Sequence, residues 1–250
     1  FLATWDDHDY GANDGGADFA ERAASRDIFL DFWEIPADAP RRGHDGVYDV
    51  QMFGPPGKRV QVILLDTRYF RSPLARDPDL SPDQGRYKPS DDPAATMLGD
   101  EQWKWLEAQL REPADLRLLV SSIQVLSDEH HFEKWGNLPR ERQRLLDLLR
   151  DTKAAGVIIL SGDRHRAEIS LLNEGVPYPL YDVTASALNM SHPIDKPEPN
   201  SLRQGELVMD NNFGLLTIDW NKADPEINIQ LRDLSDKVRV ESSASLKVLR

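Results

Sequence analysis

The sequence predicts a layered α/β sandwich with mixed β-sheets. Short aliphatic runs alternate with amphipathic helical segments through residues 17–160, which is the pattern of strands covered by helices. Strand-like segments predominate after residue 178. The 250 residues are 40% hydrophobic and show no break in composition, so we expect one domain over residues 1–250 with a full core.

The individual elements follow from hydrophobic periodicity. We predict helices over residues 17–33, from Asp100 as the N-cap residue, and from Pro139 as the first helical residue. Runs of β-branched and aliphatic residues predict the following strands: 46–53, 60–65, 116–125, 157–160, 181–185, 206–209, 214–220, 227–231 and 238–240. Residues 72–98 contain five prolines and many aspartates, which predicts a long loop or lid.

Composition and charge exclude several functional classes. The chain has no cysteine, which excludes disulfides, thiolate nucleophiles and thiolate metal ligands. A net charge of −13 argues against a broad nucleic-acid-binding face, and no apolar run reaches the roughly 18 residues that span a bilayer. The chain begins without Met, inside an apparent strand at residues 1–4, and without a basic signal-peptide region. We interpret it as a processed product or a partial sequence.

Acidic residues are concentrated near the start of the chain, in the segment Trp5-Asp6-Asp7-His8-Asp9-Tyr10 followed by Asn13. Residues 1–50 hold twelve Asp or Glu against four Arg. Adjacent carboxylates repel one another, and a divalent or trivalent cation is the usual means of holding them together. The alternative is a solvated acidic turn. An EF-hand does not fit, because Gly11 stands where a ligand is needed.

A second candidate site follows the strand at 157–160, in the segment Ser161-Gly162-Asp163-Arg164-His165. In an extended backbone, residues two apart point to the same side, so Asp163 and His165 could reach one metal ion. The carboxyl ends of strands are where α/β sheets build their sites. The alternative is a turn with an incidental histidine. Two strand ends that both offer Asp and His favour the metal site.

Basic and amide side chains complete the candidate site. Arg68, Arg164 and Arg166 are placed to attract an anionic substrate, although pairing with the surplus carboxylates is an equal alternative. Gln124, at the end of the predicted strand 116–125, is a further candidate, whereas His130 and the residue after it read as solvated. The Gly-x-Ser-x-Gly, Gly-x-Gly-x-x-Gly and P-loop motifs are absent, so metal-assisted hydrolysis is the favoured chemistry.

Taken together, these segments resemble the alkaline phosphatase D (PhoD-like) family of metallophosphoesterases. The resemblance covers nearly the whole chain and follows the order of the family's motifs. The segments that carry it are Trp5–Tyr10 with Asn13, Leu64-Leu65-Asp66-Thr67-Arg68, Leu98-Gly99-Asp100-Glu101-Gln102-Trp103-Lys104-Trp105-Leu106, Trp135-Gly136-Asn137, Leu160-Ser161-Gly162-Asp163-Arg164-His165 and Asn212-Phe213-Gly214.

The resemblance implies a four-layer α/β/β/α sandwich with a two-metal site between the sheets. It implies hydrolysis of a small phosphate ester, two metal ions identified as calcium and iron, and export from the cytoplasm. It also implies roles for individual residues. The implied metal ligands are Asp7, Asn13, Asp163 and His165, the implied catalytic residues are His8 and Arg164, and the implied substrate-binding residues are Arg68 and Gln124.

One departure from the family pattern bears on function. The earlier family motifs, which supply the carboxylate that bridges the two metal ions, would precede Phe1, so we expect an N-terminally incomplete domain. A non-catalytic fragment or degenerate homologue acting as a binding module is the alternative. A mononuclear metal hydrolase of unrelated fold is a third reading. The preference between monoesters and diesters is left open, as is the oligomeric state.

Overall fold

Two β-sheets form the centre of the structure, a computed structural model that describes residues 1–81 and 85–250. The larger sheet has seven strands in the order β1-β2-β3-β4-β6-β5-β7, and the smaller has three in the order β10-β9-β8. The strands are β1 (Asp49–Phe53), β2 (Val60–Leu64), β3 (Leu116–Val120), β4 (Val157–Ser161), β5 (Ala167–Leu172), β6 (Leu180–Ala185), β7 (Arg203–Val208), β8 (Asn212–Asp219), β9 (Glu226–Asp233) and β10 (Val238–Ser245). The helices are α1 (Asp7–Tyr10), α2 (Arg22–Phe32), α3 (Gly99–Arg111) and α4 (Pro139–Thr152).

The larger sheet is mixed. Strands β2, β3, β4 and β6 are parallel, while β1, β5 and β7 pair antiparallel at its two sides. The parallel strands are aliphatic and largely buried, as expected for strands that are covered on both faces. The carboxyl ends of these four strands therefore meet at one edge of the sheet.

Different layers cover the two faces of the larger sheet. On one face, Gln61 of β2 donates from Nε2 to the carbonyl of Gln109 in α3, and α4 packs beside α3. On the other face, the backbone of Gly214 in β8 lies against Ala185 of β6. The predicted α/β sandwich with mixed sheets is thereby confirmed. Three of the four expected layers are present in the described residues.

The apolar core is divided into two clusters. The main cluster joins both sheets to α3 and α4 and includes the predicted apolar faces of these helices, such as Leu106 and Leu145. A smaller cluster surrounds Trp5 and Tyr10, which pack at 4.9 Å between ring centroids, together with Phe29 of α2. The N-terminal acidic motif therefore rests on a core of its own.

Several boundaries differ from the sequence-based predictions. Residues 1–4 are not in a strand, and α2 begins at Arg22 rather than at residue 17. Asp100 is not an N-cap, because Leu98 occupies that position and Asp100 lies within the first turn of α3. Strand β3 ends at Val120, since the chain then turns so that Ser121 Oγ bonds the Ile123 carbonyl.

Strand β5 was missed by the sequence analysis. Its buried positions include Glu168 and Ser170, which hide the aliphatic pattern. Glu168 is tolerated there because it pairs with Arg203 at 2.5 Å. Strand β8 begins at Asn212, two residues before the predicted start at residue 214.

The predicted loop at 72–98 contains no helix or named strand in its described parts, 72–81 and 85–98. One isolated bridge joins Arg76 to Tyr87 within the segment, and a second joins Gly85 to His131, which fastens the segment to the region after β3. Residues 82–84 of this loop lie outside the described residues.

We expect Leu106→Ala to lower the free energy of unfolding by about 2–5 kcal/mol, because Leu106 is fully buried in the main core and its removal leaves a cavity. Urea denaturation followed by circular dichroism measures the change. The control is Ile28→Ala on α2, where the side chain is 69% exposed and the change should stay within about 0.5 kcal/mol. An equal loss in both variants would contradict this packing.

Candidate active site

A cavity of about 260 Å³ lies where the N-terminal motif meets the loop after β4. It brings together six of the eight predicted site residues, namely Asp7, His8, Asn13, Asp163, Arg164 and His165. The other lining residues are Asp14, Arg86, Tyr87, Phe132, Glu133, Arg166 and His192. A larger groove of about 610 Å³ lies between α3 and α4, but it contains none of these groups, so volume alone does not mark the site.

The first wall of the cavity is a single helical turn, α1. Asp7 begins this turn, and its carboxylate accepts hydrogen bonds from the backbone N–H groups of His8 at 2.8 Å and Asp14 at 3.1 Å. The His8 imidazole is 79% exposed, and its Nε2 lies 3.9 Å from Asp7 Oδ2. Asn13 donates from Nδ2 to Asp14 at 2.8 Å. The turn thus presents one fixed carboxylate and one accessible imidazole.

The second wall is the loop after β4. Asp163 and His165 have φ angles of 70° and 52°, so both are in the left-handed region. The expectation that they point the same way because the backbone is extended is therefore wrong. They still line one cavity, because the chain coils tightly after Gly162, whose N–H bonds the Ser122 carbonyl at 3.1 Å. Such strained conformations are typical of functional loops.

Carboxylates dominate the electrostatics where these two walls meet. Burial raises the pKa of Asp163 well above its usual range, and the nearby Asp6 and Glu133 carboxylates raise it further. Burial also raises the pKa of Asp6 to about 6, against the opposing attraction of Arg68. Negative charge here is only partly compensated, so this part of the cavity favours either protons or cations.

Basic side chains also line the cavity. Arg164 and Arg166 lie within ion-pair distance of Glu198, and the His165 ring stacks on His192 at 4.1 Å between centroids. Burial lowers the pKa of His165, and its neighbour His192 lowers it further. Sequence reasoning missed Glu198 and His192, because both lie in an irregular segment with no motif and reach the cavity only through tertiary contacts.

Arg68 does not line this cavity. Its guanidinium is fully buried, and it contacts Asp6 from Nε at 2.9 Å and Glu133 from Nη1 at 2.7 Å. In the structure, Arg68 pairs with carboxylates, which is the alternative to binding the substrate. Arg68 therefore belongs to the support of the site, and we do not place it at the substrate.

Gln124 is likewise buried outside the cavity. Its Nε2 donates to Glu168 at 2.8 Å and to Thr184 at 2.9 Å, while its Oε1 lies 3.0 Å from His130 Nε2. Burial lowers the pKa of His130 well below its usual range, with Arg164 as the next cause. The interpretation of His130 as solvated is wrong, and the polar atoms of Gln124 are occupied within the protein.

Asp66 has a structural role that the sequence did not reveal. Its buried Oδ1 accepts hydrogen bonds from Trp5 Nε1 at 2.9 Å and from the backbone of Arg68 at 2.8 Å. Its Oδ2 accepts from the backbone of Val47 at 2.9 Å. Asp66 thus joins the end of β2 to the small core beneath the N-terminal motif.

The donor types around the cavity suit a hard or borderline cation, since carboxylate, amide and imidazole groups line it together. Their arrangement does not make a complete site. Among residues 1–81 and 85–250, no group of three or more His, Asp and Glu side chains is placed to hold a metal ion. The described residues thus supply the chemistry of a metal site without its full geometry.

Comparison with known proteins agrees with these features. The family model of PhoD-like phosphatases matches residues 1–186. Alkaline phosphatase D of Bacillus subtilis is 24% identical over 197 residues, which cover 69% of this chain and 32% of that protein. A solved structure described as the structure of PhoD superposes with a TM-score of 0.71 and 19% identity, covering 99% of this chain and 53% of the other.

The chain is thus a mixed α/β sandwich with a cavity lined by Asp and His side chains beside the end of β4. Because the family model matches well over half of its length, the chain belongs to the PhoD-like phosphatase family. The chain spans about a third of the length of the curated relative and about half of the length of the solved one.

We expect Glu133→Gln to lower the free energy of unfolding by about 3–5 kcal/mol, because it leaves the fully buried Arg68 and Arg71 short of a negative charge. Chemical denaturation measures this loss. The control is Glu107→Gln, which breaks an exposed pair with Arg111 and should cost less than about 1 kcal/mol. A loss no larger than that of the control would show that the buried pairing contributes little.

Proposed function

We propose that this chain hydrolyses phosphate esters in the cavity between α1 and the loop after β4, and that hydrolysis requires metal ions. The observation that carries the proposal is the meeting of Asp7, His8, Asp163 and His165 in one cavity, although 155 or more residues separate the two motifs. Membership in the PhoD-like family supports the reaction class.

The proposed metal ligands are Asp7, Asn13, Asp163 and His165. Two metal ions, calcium and iron, are the proposed complement, in line with the family resemblance. Because the described residues form an incomplete donor set, we assign the ions no position and derive no step through them. The raised pKa of Asp163 supports a cation nearby, since bound positive charge would relieve the repulsion from Asp6 and Glu133.

The chain's own side chains suggest how the substrate is handled. The exposed His8 imidazole can reach a bound ester and donate a proton to the leaving oxygen. Arg164 lines the same cavity and can contact the phosphoryl oxygens through its planar guanidinium. The substrate class is a small phosphate ester, because the cavity of about 260 Å³ admits little more than a phosphate and a compact leaving group.

Two further proposals concern the setting of the reaction. We propose that the protein acts outside the cytoplasm, in line with the family resemblance. Among the helices of the described residues, none is both long and apolar enough to cross a bilayer. The net charge of −13 supports small-molecule substrates over nucleic acid.

The second candidate function is a non-catalytic module that binds phosphate esters. The incomplete donor set favours it, since a cavity with arginines but without held metal ions could bind an ester and leave it intact. The two functions differ in a simple way. The hydrolase releases phosphate, whereas the module binds the ester with no turnover.

We expect His8→Ala to lower kcat for p-nitrophenyl phosphate by about 10²–10⁴-fold, because it removes the proposed proton donor. Release of p-nitrophenol at saturating substrate measures the effect. His131→Ala removes an exposed imidazole outside the cavity and should leave kcat unchanged. Undiminished turnover in His8→Ala would contradict the assigned role.

We expect dialysis against a chelator to abolish phosphate release, and added calcium and iron to restore it. Elemental analysis should find two metal ions per chain, and fewer in Asp163→Asn because a proposed ligand is lost. Asp38→Asn, which changes an exposed acid on the loop after α2, should keep the full metal content. Metal content that is unaffected by Asp163→Asn would remove Asp163 from the ligand set.

A further inference from the structure

An irregular segment at residues 187–202 makes up most of the connection between β6 and β7 and folds against His165 and Arg166 at the cavity. Its His192 N–H donates to the His165 carbonyl at 3.1 Å, and Arg166 Nη2 donates to the His192 carbonyl at 3.2 Å. The segment lies outside residues 1–186, the part matched by the family model. Connections of this length without secondary structure are commonly functional.

One side chain of this segment, Glu198, binds two of the three arginines that line the cavity, Arg164 and Arg166. Its two carboxylate oxygens accept from Arg164 Nη2 at 2.8 and 3.0 Å. Its Oε2 also lies 2.9 Å from Arg166 Nη1, without the geometry of a hydrogen bond. A single carboxylate thus faces two guanidinium groups, so the three side chains together carry a net positive charge.

The two arginines keep unused donors. Both side chains are more than nine-tenths buried, and Nε of Arg164 together with Nε and Nη1 of Arg166 have no hydrogen-bond partner. Buried donors without partners are costly, and they become favourable once an oxygen-rich anion reaches them. Both arginines line the cavity, but these three nitrogens are shielded from solvent, so an anion reaches them only when their surroundings rearrange.

The geometry restricts how an anion can reach Arg164. The ring of Phe132 covers one face of its guanidinium at 4.4 Å, and a guanidinium donates hydrogen bonds only in its plane. Within that plane, Nη2 is occupied by Glu198, and Nη1 lies 3.7 Å from Asp163. An anion that binds both terminal nitrogens of Arg164 must therefore displace Glu198 from Nη2.

We propose that Arg164 and Arg166 form an oxyanion site for phosphate, and that Glu198 occupies it as an internal competitor until phosphate displaces it. The choice of phosphate as the anion rests on the proposed function, whereas the site itself rests on the two arginines. Phosphate is favoured over the carboxylate because it offers more oxygens and a greater negative charge to the unused donors. The segment at 187–202 therefore regulates access to the anion site.

Titration with inorganic phosphate, followed by isothermal calorimetry in the presence of EDTA, tests the proposal without turnover and without bound metal. We expect Glu198→Gln to bind phosphate about tenfold more tightly, since one charge-assisted ion pair no longer has to be broken. The control is Glu174→Gln, which removes the same charge from an exposed position after β5 and should change Kd less than twofold.

A second pair of variants tests the arginines. Arg166→Gln should weaken phosphate binding at least tenfold, and Arg166→Lys should fall between it and the unaltered chain, because lysine keeps the charge but not the planar fork. Circular dichroism confirms that each variant is folded. Equal or weaker binding by Glu198→Gln would overturn the competitor role, and binding unaffected by Arg166→Gln would overturn the site. Phosphate binding without ester hydrolysis would support the anion site and contradict the proposed hydrolase function.

Discussion

The buried ion pairs of Arg68 hold the cavity together. This guanidinium is fully buried and lies between Asp6 of the N-terminal motif and Glu133 of the loop after β3, and Glu133 also pairs with Arg71. A charge in this environment is tolerated only when it is paired, so these segments are confined to one arrangement. Asp7 follows Asp6 directly, and its position is therefore set by contacts beneath the cavity rather than within it.

The same network explains the electrostatic asymmetry of the site. Burial raises the pKa of Asp163, and the carboxylates of Asp6 and Glu133, which Arg68 holds nearby, raise it further. Arg164 and Arg166 are held by Glu198 instead. The cavity thus combines carboxylates that suit cations with arginines that suit anions, and a phosphate ester with its counter-ions requires both.

The sequence predicted the mixed sandwich and the contiguous motifs well, because strand periodicity and the Asp-His pairs are local signals. It could not assign Arg68, since an arginine near surplus acid can bind either substrate or carboxylate, and only tertiary burial decides between them. Glu133, Glu198 and His192 were missed for a related reason. They come from loops with no periodicity, and long-range packing alone brings them to the cavity. Strand β5 was missed because buried polar residues hide its aliphatic pattern.

The division of the apolar core has a consequence for how binding and folding are coupled. Asp7 stands on the small cluster around Trp5, whereas Asp163 follows a strand of the main cluster. Any ligand that contacts both side chains bridges the two core clusters and opposes their separation. The binding free energy of such a ligand therefore adds to the stability of the folded chain. Conversely, local unfolding of the small cluster weakens the binding of the ligand.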